Sequence, residues 1–133
     1  MQVKANAIIA LTPAADQSAY EGYFVELDGS GNAAVCNAAT DIPLGVILDG
    51  EPTTGKTSIA VATGFCGTAL VKCAATPGTI VKGSYLVLDG TTLGAVKLDP
   101  ATGARTRVAR ALEAGAAGAL IEAVLIDPIH SAS

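Results

Sequence analysis

The 133-residue sequence predicts an all-β fold: a small pseudo-symmetric β-barrel or sandwich built from two similar halves, with an N-terminal arm. Three observations predict it. Half the residues are hydrophobic, but they are mainly Ala, Val, Leu and Ile, cut into short runs by 15 Gly and 6 Pro. Those runs alternate with a period of two, as half-buried strands do. The plan of the first half also returns 61 to 64 residues later. A chain this long forms one domain and buries roughly two-thirds of its unfolded surface.

Residues 1–19 lack a counterpart in the repeat, and Thr12-Pro13-Ala14-Ala15-Asp16 breaks the apolar run Ala7–Leu11. An arm is expected there, followed by a single β domain over 20–133 with repeats at about 20–81 and 82–128. In Tyr23-Phe24-Val25-Glu26-Leu27 the odd positions are apolar, which puts Tyr23, Val25 and Leu27 on one face. Asp28-Gly29 then signals a hairpin leading to Ala33-Ala34-Val35. Leu44–Leu48 is a further strand, and Ile59 with Val61 shares a face opposite Ala60 and Ala62.

The second copy opens with Tyr85-Leu86-Val87-Leu88-Asp89-Gly90 and Gly94-Ala95-Val96. Val108–Val124 is rich in helix formers, but Gly115 and Gly118 would each cost a helix about 1 kcal/mol. Strand, loop, strand is the reading there. Pro43, Pro52, Pro77, Pro100 and Pro128 fall between the apolar runs. Two copies are too few for a solenoid.

Twelve acids against eight bases give a net charge of -4, and the bases are scattered, which argues against a nucleic-acid partner. Arg105, Arg107 and Arg110 come closest to a basic patch and read as a solvated strand edge. No apolar stretch reaches the roughly 18 residues of a membrane span, so no membrane partner is expected. Ala7–Leu11 is too short for a secretory core, which places synthesis in a cytoplasm. Cys36, Cys66 and Cys73 form no close pair, and His130 is the single histidine, near a C-terminus expected to fray. Buried free thiols are the reading, with no metal site.

Gly50-Glu51-Pro52-Thr53-Thr54-Gly55-Lys56-Thr57 satisfies the phosphate-loop pattern GxxxxGK[ST]. A working loop must open a helix whose N-terminus holds the phosphates. The next residues, Ser58-Ile59-Ala60-Val61-Ala62-Thr63-Gly64, alternate like a strand, and Glu51 would place a negative charge beside the anion. An ordinary bend between two strands is expected instead. The aspartates sit mostly in turns, so no catalytic, cofactor-binding or metal residue is assigned.

Pro43-Leu44-Gly45-Val46-Ile47-Leu48, Ile59-Ala60-Val61-Ala62-Thr63-Gly64, Thr76-Pro77-Gly78 leading to Val81-Lys82-Gly83, and Ala111-Leu112-Glu113-Ala114-Gly115 before Leu120–Leu125 succeed one another in that order. Over about residues 20 to 127 this series resembles the bacteriophage capsid cement proteins, also called decoration or head-stabilising proteins. The resemblance implies a viral structural protein on the capsid exterior of the virion, bound to the major capsid protein and to itself as a homotrimer. It implies no reaction and no cofactor. Two other readings are a nucleotide-binding, recombinase-like enzyme using the 50–57 loop, and a surface carbohydrate- or receptor-binding β module using Tyr20 or Tyr85.

Overall fold

A computed structural model describes residues 8–49, 59–63 and 67–132. They form ten strands and, among the described residues, no helix. In chain order these are β1 (Ile8–Leu11), β2 (Phe24–Leu27), β3 (Ala33–Val35), β4 (Gly45–Asp49), β5 (Ile59–Thr63), β6 (Thr68–Lys72), β7 (Tyr85–Leu88), β8 (Val96–Leu98), β9 (Arg105–Ala111) and β10 (Leu120–Ser131). The all-β expectation holds.

Two five-stranded antiparallel sheets result, one from each half of the chain. Their orders are β1-β5-β4-β2-β3 and β6-β10-β9-β7-β8. Adding five to each strand number of the first gives the second, so the two halves share one topology. Isolated parallel bridges repeat as well, Pro13 to Ala33 and Cys73 to Val96. Each bridge brings the segment after a half's first strand beside its third strand, and the sheet curls on itself. The Ala14 and Ala74 amides make the matching hydrogen bonds to Ala33 O and Val96 O, both at 2.8 Å.

At its centre the first sheet is buried on both faces. Val25, Ala33, Ile47 and Val61 fill the inside of its curl, with Leu11 and Val35 packed against them. Phe24, Val46 and Ala62 point the other way and join the main core with Val71, Leu88, Val108 and Leu125 of the second half. Side-chain alternation explains this, since neighbours on a strand face opposite sides. Phe24 therefore anchors the seam between the halves, a role hidden when only the odd positions of 23–27 are read as inward. Leu27, expected to share a face with Val25, is half exposed where Val25 is buried.

Of the expected arm over 1–19, residues 8–19 are described. Ile8–Leu11 pairs with Ile59–Ala62 in β5, and Gln17 is buried with its Nε2 donating to Ala33 O at 2.7 Å. The strand β1 holds the place in the first sheet that β6 holds in the second. Three expectations are corrected. Pro128 lies inside β10, at a register shift between Leu125 and Ile129 where its missing N–H is tolerated. His130 is paired opposite Thr106 rather than frayed. In the hairpin turns the left-handed residues are Gly31 and Gly94, both at φ +79°, and not the glycines next to the aspartates.

Val108–Val124 is strand, loop, strand as expected, held by β9 pairing with β10.

Candidate functional site

The phosphate-loop match over 50–57 lies outside the described residues, as does Cys66. Beyond the motif the chain is described again at Ile59–Thr63, a strand paired on both sides, with β1 and with β4. It is extended there, as the alternation predicts.

The described residues carry three polar constellations. In the first, Glu26, Cys36 and Asp41 bring one ligand atom each within 4.8 Å of the others. Burial, reinforced by Glu26 and Asp41, pushes the Cys36 thiol far up, so the thiolate is scarce. Asp41 Oδ2 accepts the Asn37 and Ala38 amides at 2.8 and 3.0 Å. The group fastens the loop ahead of β4, and a protonated thiol is a poor metal donor or nucleophile. Burial, with Glu113 adding to it against Lys72, also raises Cys73. Both cysteines are buried and free, as expected.

The second is an open groove of about 550 Å3 where the halves meet, with Asp16, Gln17, Tyr20, Tyr23, Thr91 and Thr92 among its walls. The Tyr20 and Tyr23 rings meet edge-on, 4.9 Å apart at 78°. They pack on each other edge to face.

The third lies on the second half. Tyr85 and Arg110 are paired across β7 and β9, and so are Leu86 and Ala109; the next pair is Val87 with Arg107, which leaves Val108 as an extra residue. Arg107 and Arg110, three apart, would face opposite sides of a regular strand. The bulge re-aims them to one side, where both guanidinium groups cover the Tyr85 ring at 4.5 and 4.9 Å. Asp99 accepts Arg105 Nε and Arg107 Nε, both at 2.5 Å. Burial opposes ionisation of Asp99, but the Ala101 amide, Arg107 and Arg105 outweigh it and hold the carboxyl below its usual value.

This corrects the reading of the three arginines as a solvated strand edge. The strand β9 lies between β10 and β7, and Arg105 is buried. Sequence reasoning missed the cluster because the partners are 22 and 25 residues from Tyr85 and meet only through strand pairing. Their shared approach to one ring depends on a bulge that no residue type announces.

Among known proteins, no family model matches this chain, and a search of curated proteins returns no match.

Proposed function

We propose that this chain is a bacteriophage capsid decoration protein that binds the outer surface of an assembled shell and stabilises it. The observation that carries the reading is the ordered series of motifs from Pro43 to Leu125, which resembles the cement proteins. Three supports stand beside it. The series falls on β4, β5, β10, the end of β9 with the segment after it, and the loop entering β7, so it tracks the scaffold of a compact β module. The surface carries large apolar side chains in both halves, including Leu27, Ile42, Val81 and Ile129, each at least half exposed. Such side chains suit burial against a partner. Finally, the buried, protonated thiols and turn-bound aspartates are committed to structure.

The mechanism is linkage. A protein that binds the assembled lattice and not its separated subunits adds its binding free energy to the shell. A micromolar site contributes about 8 kcal/mol at standard state. Engagement of several capsid subunits at once raises avidity by a further factor of roughly 10² to 10⁴. The major capsid protein is the partner in this reading, with the decoration protein acting as a homotrimer.

The test is to titrate undecorated capsids with purified protein and count bound copies by electron microscopy, then heat both preparations. Saturable occupancy at fixed lattice positions with a raised disruption temperature is expected. Capsids that stay bare, or whose heat resistance is unchanged at saturation, overturn the reading. Nucleotide binding abolished by Lys56→Ala would instead favour the enzyme.

A further inference from the structure

The seam between the halves is one-sided. From the first half, Gly22 O accepts the Lys72 amide at 2.9 Å, and the Phe24 amide donates to Gly94 O at 2.8 Å. A two-fold relation would require the mirrored pair, Thr12 to Gly83 and Tyr85 to Gly31. Neither is formed among the described residues. The glycines show the same thing sterically. A Cβ on Gly22 would stand 2.5 Å from Leu120 Cδ2, and one on Gly94 would stand 2.5 Å from Val35 Cγ1. Their counterparts are open: Gly31 has nothing within 4 Å, and Gly83 meets only an Arg110 nitrogen at 3.9 Å.

The halves are thus related head to tail, the relation that generates rings or filaments when repeated. Each half keeps one copy of a seam surface that the other half does not cover; on the second half Arg110 Nε donates there to Gly83 O at 3.2 Å. The second half presents the face around Gly83, Tyr85 and Arg110. The first half presents the Gly31 turn.

Charge separates the two halves. Residues 1–66 hold seven acids and two bases, while residues 67–133 hold five acids and six bases. Both bases of the first half, Lys4 and Lys56, lie outside its described residues, which carry six acids and no Lys or Arg. Where the seam has apolar Phe24 and Val46, the second half has Tyr85 and Arg110, paired with each other as those two are. A basic face on one half and an acidic turn on the other attract each other between molecules and repel their own kind.

We propose that copies of this chain join head to tail, the Gly83–Tyr85–Arg110 face of one docking on the Gly31 turn of the next and repeating the contact that unites the halves. This deepens the self-association in the functional reading by naming the surfaces, and it is measured on free protein. Capsid binding by a chain that never self-associates would overturn the head-to-tail contact alone. Self-association without capsid binding would overturn the capsid reading alone.

Two variants test it. Arg110→Glu reverses an exposed charge on one face. Gly31→Asn keeps a residue that tolerates the left-handed backbone and adds a side chain only to the docking surface. Circular dichroism and urea unfolding first establish that both variants stay folded. Sedimentation of wild-type protein is expected to show association that weakens as salt rises. Each variant alone should lose association by roughly tenfold or more. Mixed one to one, they should form a heterodimer and nothing larger, because each supplies the face the other lacks. Gly118→Asn, also open and at φ +71° but in neither face, should associate as wild type. A monomeric wild type, variants that keep its mass, or a mixture that stays monomeric would each overturn the proposal.

Discussion

The two halves share a strand order, a closing bridge and a set of turns, yet equivalent positions differ in burial. Phe24 is buried where Tyr85 is exposed, Val46 is buried where Arg110 is exposed, and Leu88 is buried where Leu27 is half exposed. The common backbone plan therefore does not decide which residues are apolar. The decision rests on which face of each half the seam covers. Because the seam is one-sided, the first half buries its Phe24 face and the second half buries its Leu88 end.

The largest effects that could break this comparison are truncations at paired positions. Phe24→Ala should cost about 3–5 kcal/mol and Leu88→Ala about 2–5 kcal/mol in urea unfolding. Their counterparts should cost far less: Tyr85→Ala about 1 kcal/mol, mainly lost cation–π contact, and Leu27→Ala within about 0.5 kcal/mol. Equal losses at the members of either pair would mean that the seam does not distinguish the halves.

A medium effect concerns the arginine cluster, which the first half lacks. Asp99→Asn removes a nearly buried carboxylate from two guanidinium groups and should destabilise by about 2 kcal/mol at pH 7. The sign with pH comes from its lowered value. The Asp99 contribution is present above the ordinary carboxyl value of 3.8 and is lost as pH falls through the lower folded value. The gap between wild type and variant should therefore close below about pH 4 in paired urea titrations. A gap that persists undiminished at the lowest pH that keeps the protein folded would contradict the assignment.

The smallest effect leaves stability alone. Cys36 and Cys73 should resist iodoacetamide in native protein at pH 8 and react on unfolding, read by peptide mapping. Rapid native labelling of Cys36 would show that burial and the neighbouring carboxylates do not hold its thiol protonated.

Much of the fold was legible in the residues. Asp28-Gly29 and Asp89-Gly90 exposed the repeat because each aspartate caps its own turn, Asp28 Oδ1 accepting Ser30 and Asn32 amides and Asp89 Oδ2 accepting Thr91 and Thr92 amides. Such local chemistry leaves a local trace. The match of β1 to β6 left none: Ile8-Ile9-Ala10-Leu11 and Thr68-Ala69-Leu70-Val71-Lys72 share no pattern. Ile8 and Ile9 lie exposed on an edge strand, where burial imposes no alternation. The arginine cluster was equally silent, since strand pairing and a bulge assemble it from distant residues. The burial of both Phe24 and Val25 was missed because period-two reading assumes one wet face, and the first sheet has none there.

The most direct test of the one-sided seam compares Gly94→Ala with Gly31→Ala. Both glycines sit at φ +79°, so the backbone strain of adding a Cβ, about 1–2 kcal/mol, is common to the two. Only at Gly94 does the new carbon overlap the other half. Measured by urea unfolding of dilute, monomeric protein, Gly94→Ala should lose at least about 2 kcal/mol more than Gly31→Ala. Equal losses would contradict the account.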